Sequence, residues 1–219
     1  MPRTLHVPPG RAGQLWLAHR REVARRAVDL LDQKLRILRS ERLRRSLVEE
    51  RTRAAWAAAV RDADAWQLRL AQLGAQRALR LGRSSEPAGV EVRWDQVVGV
   101  RYPAHVVVHE PADTEGPDGP GGSAVLTETR RRMAVAVAAA AQQAAALAAL
   151  RTLEAQEAAT RRRLRSIRTR YLPRLEATLR DVEVALEEDE RSDILRLRWA
   201  AGRGSGRVDA GGADGGMVG

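Results

Sequence analysis

Across 219 residues, 38 Lys and Arg outnumber 28 Asp and Glu to leave a formal net charge of +10, with 3% aromatic residues and neither Phe nor Cys. The missing cysteines exclude a disulfide framework and thiolate chemistry, and are compatible with a reducing, cytosolic setting. So few aromatic side chains exclude a thick globular core; the Ala, Leu, Arg and Glu that dominate are the composition of long helices and coiled coils.

Residues 1 to 10 read as an irregular N-terminus, with Pro8, Pro9 and Gly10 punctuating the start of a helix. The N-terminus shows no apolar run with a small-residue cleavage site, so no secretory signal is expected. Residues 11–82 read as the first long helix. Ala24, Val28, Leu31, Leu35 and Leu38 step by four and three, the spacing of a coiled-coil seam. The apolar phase then slips, which leaves room for a break near residues 40–46 or at Gly74.

Residues 83–123 differ in kind. Val90, Val92 and Trp94 alternate with Glu91 and Arg93, and further β-branched runs follow at Val97–Val100 and Val106–Val108. The segment ends in a Gly/Pro loop, DTEGPDGPGGS, at 113–123. The pattern predicts a β-hairpin insert, and two strands alone are marginal in water, so it should lean on the helices.

Residues 124–201 read as the second long helix, capped by Ser123. Leu153, Leu164, Leu175, Leu186 and Leu197 recur every eleven residues, with Ile167, Tyr171, Leu179, Val182 and Ile194 between them. Eleven residues in three turns is about 3.67 per turn, so one apolar stripe keeps its direction and requires a partner. Pro173 predicts a bend rather than an end, because the leucines keep phase across it. The apolar run Met133–Leu150 is near the lower length limit for a membrane span. Its alanines and the central Gln142 and Gln143 favour a soluble helix that admits a close neighbour. Residues 202–219 read as a flexible, disordered tail.

The fold expected is therefore mainly α: a long antiparallel two-helix coiled coil with a small β-hairpin insert between the helices. Its seam combines Ala24, Val28, Leu31, Leu35 and Leu38 with Leu164, Ile167, Tyr171, Leu175, Leu179, Val182, Leu186 and Leu197. Charge suggests the register. The basic block Arg20, Arg21, Arg25 and Arg26 would face the acidic block Glu183 to Glu190, placing residue 187 near residue 25.

Site chemistry is missing from the sequence. No Gly-Lys-Ser/Thr phosphate loop occurs, and Lys34, the only lysine, lies in a helix. His6, His19, His105 and His109 have no ligand companions at metal spacing. No nucleophile has a base beside it, and adjacent carboxylates at 187–190 splay around a helix. No catalytic, cofactor-binding or metal-binding residue is expected. Arg161–Arg163 reads as a solvated helix face.

Three stretches carry a resemblance. Pro9-Gly10-Arg11 with Leu15, Leu17, Arg20, Ala24 and LLDQKLRIL at 30–38 is one. DQVVGVRYP at 95–103 is the second, and YLPRLEATLRDVEVALEEDERSDILRLRW at 171–199 the third. In this order they resemble the D subunit of V-type and A-type rotary ATPases, the central rotor shaft. The Ala-rich start of the second helix, the Arg-for-Lys bias and the Gly-rich tail depart from that family.

The resemblance implies a non-catalytic central-stalk subunit coupling ATP synthesis or hydrolysis to rotation of a proton-carrying membrane ring. Its partners would be catalytic and regulatory head subunits, a small companion rotor subunit and a subunit connecting to the ring. The location implied is cytoplasmic, peripheral to the plasma membrane, with no membrane insertion. Within the hairpin motif, Val100, Arg101, Tyr102 and Pro103 would meet a partner. The alternatives are a basic coiled-coil protein binding nucleic acid and a scaffold that dimerises through its own seam. Scattered arginines offset by acidic blocks, without interleaved aromatics, speak against nucleic acid.

Overall fold

The computed structural model describes residues 6–73, 88–109 and 124–205, with side chains as far as Ala200. Helix α1 spans Gly10–Gln72, strand β1 Gly89–Val97 and strand β2 Val100–His109. Helix α2 spans Ala124–Ser166, and a π-helical turn at Ile167–Tyr171 leads directly into helix α3, Leu172–Ser205. The fold is mainly α, two long helical stretches with a two-stranded antiparallel hairpin between them. The expected end of the first helix at 82, Gly74, the Gly/Pro loop and the Ser123 cap lie outside the described residues. Helix α3 runs on to Ser205, past the expected end at 201 and into the stretch read as tail, the rest of which, 206–219, also lies outside them.

α1 starts on Gly10, whose φ of +71° favours glycine. It then runs unbroken through residues 40–46. Ser40 and Ser46 are absorbed there because their hydroxyls donate to the carbonyls of Ile37 (2.8 Å) and Leu43 (2.9 Å) within the helix.

Contacts gather in two units, Met1–Leu30 with Arg163–Gly219, and Leu31–Arg162. In the first, Leu17, Ala24, Leu175 and Leu179 form a buried cluster, ringed by Val7, Trp16, Ile167, Tyr171, Leu172 and Val182. Each fully buried Leu contributes roughly 1.5–3 kcal/mol. Arg25 donates to Glu176 (2.8 Å) and Arg11 to Glu190 (2.7 Å), so numbers rise on α1 as they fall on α3 and the pair is antiparallel.

The register differs from the one that charge suggested: Arg25 meets Glu176, about three turns before Glu187. The energies explain it. Half-exposed ion pairs are worth about 0.2–1 kcal/mol, too little to outweigh the leucines that pack around Ala24. Cysteines replacing Ala24 and either Leu175 or Leu179 are therefore expected to crosslink within one chain, while the pair at Val28 and Val182 stays reduced. Gel mobility under mild oxidation reads this, and the reverse pattern would disprove the register, since a disulfide needs Cα atoms within about 7 Å.

In the second unit, Leu38 of α1 and Ala149 and Leu153 of α2 close over Val100 and Tyr102 of β2, with Val97 and Ala104 packed beside them. The hairpin thus leans on both helices, as two lone strands must. Its two-residue turn has positive φ at Val98 (41°) and Gly99 (80°), the pattern that matches strand twist. Register shifts once, at Arg93/Trp94, where Trp94 pairs with Pro103 and Ala104 is left over. A proline that cannot donate to the ladder fits at such an irregularity.

Pro173 does not end the helix. It lacks an N–H, and its ring crowds the carbonyl four residues back. The chain answers with the wider π turn just before it, in which the Leu172 N–H donates to the Ile167 carbonyl.

Candidate functional site

Two surfaces and the polar layers between α1 and α2 are the chemically distinctive parts of the molecule. The first surface is the hairpin. Its inner strand is fixed by Tyr102, 2% exposed, whose hydroxyl lies 3.1 Å from Glu41 Oε1 and 3.3 Å from Asp95 Oδ2. Arg45 donates to that hydroxyl (3.1 Å) and to Glu41 (2.9 Å), and its guanidinium stacks over the tyrosine ring. Burial alone would raise the Glu41 carboxyl, but hydrogen bonds from Arg45 and Tyr102 and the nearby arginine charges hold it below its ordinary value. Burial, then the hydrogen bond to Glu41, pushes the Tyr102 phenol up.

Of the four hairpin residues expected to meet a partner, Val100, Tyr102 and Pro103 are buried within the chain. Only Arg101 is exposed, over the Trp94 ring at 5.6 Å. The physical reason is strand alternation: Val100 and Tyr102 share the face that the helices cover. β1 carries the outward surface instead, with Val90, Val92 and Trp94 all exposed. The period-two pattern of β2 held the signal that Val100 and Tyr102 point the same way; which way was not legible.

The second surface is the end of α3. Because Arg11 near the start of α1 pairs with Glu190, residues beyond about 190 overhang that helix. Ile194, Leu195, Leu197 and Trp199 are exposed there, Leu197 at 70% and Trp199 at 71%. Leu197 thus leaves the seam expected of it, for want of an opposing turn of α1. Among the other seam residues, Ala24, Leu35, Leu38, Leu164, Leu175 and Leu179 are buried, and Val28, Leu31, Ile167, Tyr171, Val182 and Leu186 are half-buried. Leu17, Leu70 and Leu153, outside that seam, are fully buried.

The polar layers were not anticipated. Glu157, buried on α2, accepts from Arg39 of α1 (3.3 Å) and Arg161 of its own helix (2.6 Å), and Arg42 of α1 forms an ion pair with it at 2.9 Å, its buried Nε making no hydrogen bond. Gln143, buried, donates to the buried Glu49 (2.8 Å) and accepts from Thr52 (2.6 Å). Arg132 bridges Asp62 across the pair and Glu128 on its own helix.

A stretch of the second helical segment is long and apolar enough to cross a membrane. Its midpoint, however, is committed to protein. Gln143 is bound as above, and Gln142 donates to the Val106 carbonyl of the hairpin. Ala145, Ala146 and Ala149 are buried beside them.

Hydrogen bonds from Arg131 and Arg132 hold the Glu128 carboxyl at about 2, down from 4.5. A depressed carboxyl stabilises the fold above its unfolded pKa and loses that contribution as pH falls through its folded one. The Tm advantage of the native chain over Glu128→Gln is therefore expected to shrink between pH 4.5 and about 2. Thermal melts followed by circular dichroism at several pH values check this; a constant difference would contradict it.

No curated protein matches the chain. A family model for the D subunit of ATP synthase matches residues 14–202, from the second turn of α1 to near the end of α3. The chain belongs to the ATP synthase D-subunit family. It is accordingly a subunit of a rotary ATPase, a membrane-associated complex, and its partners are other subunits of that complex. Membership spans both helical stretches and the hairpin, so each surface above falls within the family's extent.

Proposed function

We propose that this protein is the central-stalk rotor of a V/A-type proton-translocating ATPase or ATP synthase. It would turn inside a head of catalytic and regulatory subunits and carry torque to the membrane ring. The observation that carries the reading is the antiparallel pairing of α1 with α3, ending in an overhang whose apolar side chains are exposed. Ile194, Leu195, Leu197 and Trp199 follow one another closely enough to point around the helix, which suits a surrounding sleeve better than a one-sided partner.

The hairpin's outward face, Val90, Val92, Trp94 and Arg101, suits the small companion rotor subunit or the subunit joining the ring. The role is non-catalytic and needs no cofactor of its own. The place is the cytoplasmic side of the plasma membrane, held through the complex. Residues 11–82 and 124–201 would act as shaft, 83–123 as its collar, with the ends outside them.

Reconstitution tests the proposal. Vesicles assembled with every other subunit but without this chain are expected to hydrolyse ATP without taking up protons. Adding the purified chain should restore uptake. Uptake that is equally strong without it would overturn the rotor reading, as would stoichiometric ATP binding by the isolated chain.

A further inference from the structure

Much of the interface between α1 and α2 says little about register. α2 presents Ala136, Ala145, Ala146 and Ala149 to the interior, in a segment reading AVAVAAAAQQAAALAAL. Alanines recur so densely there that a slide of three residues, close to one turn, would bring Ala139, Ala148 and Ala149 to three of those four places and Thr152 to the last. Apolar packing depends on shape, and a run of identical small residues offers nearly the same shape in each register.

The buried polar groups behave differently. A slide by one turn would separate Gln143 from Glu49 and Thr52, leaving a buried carboxylate without its amide donor. The same slide would draw Glu157 away from Arg39 and Arg42.

We propose that Glu49, Thr52 and Gln143, with Glu157 held by Arg39 and Arg42, are the register key of the helix pair. They select which turn of α2 faces which turn of α1 where the alanines leave the choice open. A polar layer of this kind is disfavoured relative to an apolar one of the same shape, and is retained because only one alignment brings these partners together. The key lies within one chain, so it operates whether or not the rotor reading holds.

The chain has no cysteine, so spin labels can be placed at two chosen positions alone. Arg51→Cys and Arg151→Cys lie at exposed sites on α1 and α2. In the full-length chain their separation is expected to show a single population. In the background Arg42→Leu, Glu49→Leu, Thr52→Val, Gln143→Leu, Glu157→Leu, a second population should appear, displaced by up to about 5 Å, the rise of one turn. Helix content and Tm should hold or rise, because no buried polar group is left alone.

Exchanging the partners, Glu49→Gln with Gln143→Glu and Glu157 intact, should restore the single population. If the apolar background does not fold, Gln143→Ala alone is measured; Glu49 keeps Arg53 nearby (3.8 Å), and a smaller shifted population is expected. A single unshifted distance in the folded variants would overturn the proposal. So would a shift produced only by Tyr102→Ala, which releases the hairpin and leaves the polar layers intact, because the hairpin would then be what sets the register.

Discussion

Ending the chain before Leu186 is expected to leave the head's ATP hydrolysis intact while proton uptake per ATP falls severalfold. The folding cost of this truncation is small. Leu186 is half-buried, so it contributes about 1 kcal/mol, part of the ~1.5–3 of full burial. The Arg11–Glu190 pair is mostly exposed and worth about 0.2–1 kcal/mol. The cluster of Leu17, Ala24, Leu175 and Leu179 lies upstream of the cut and stays whole.

What disappears is the overhang carrying Ile194, Leu195, Leu197 and Trp199, the surface the head would grip under the proposed function. A folded shaft without its grip hydrolyses but does not couple. ATP hydrolysis and proton uptake measured in the same reconstituted vesicles give the ratio directly. An unchanged ratio would show that the overhang carries no torque.

Replacing Tyr102 by Ala is expected to release the hairpin from the helices. The side chain is 2% exposed and sits at the centre of the cluster with Leu38, Ala149 and Leu153. Removing a large buried aromatic ring costs about 3–5 kcal/mol. Two strands with so little else to hold them lose their protection. Tyr102→Phe separates packing from hydrogen bonding. It keeps the ring, and Glu41 keeps Arg45 at 2.9 Å, so the loss should be only about 1–2 kcal/mol.

Amide exchange over Gly89–Val97 and Val100–His109 reads both variants against the wild type. The Ala variant should exchange in those strands far faster, with α1 and α2 largely protected. The Phe variant should lie near the wild type. Equal exchange in all three proteins would mean that the hairpin is held by something other than Tyr102.

How far the sequence reaches depends on the range of the interaction that decides each feature. Periodicity is local, so the helices, the hairpin and most of the apolar stripe could be read from it. The step from Leu164 to Leu175 and the alternation of Val90, Val92 and Trp94 needed no knowledge of what lies opposite. Passage of the helix beyond Pro173 was legible for the same reason, while its device, a π turn at Ile167–Tyr171, was not, because a one-residue widening leaves no compositional mark.

Register was decided by tertiary structure. Opposed charge blocks suggested that residue 25 faces 187, and buried leucines placed Glu176 there instead, since apolar burial outweighs exposed ion pairs. From that register follow the overhang of α3 and the exposure of Leu197, a residue whose spacing alone assigned it to the seam. The facing of β2 has the same origin: alternation shows that Val100 and Tyr102 share a side, and only helix packing makes that side the inside. The buried pairing of Glu49 with Gln143, and of Glu157 with Arg39 and Arg42, joins residues far apart in the chain; nothing local marks these charges as interior, and only the approach of the two helices buries them together.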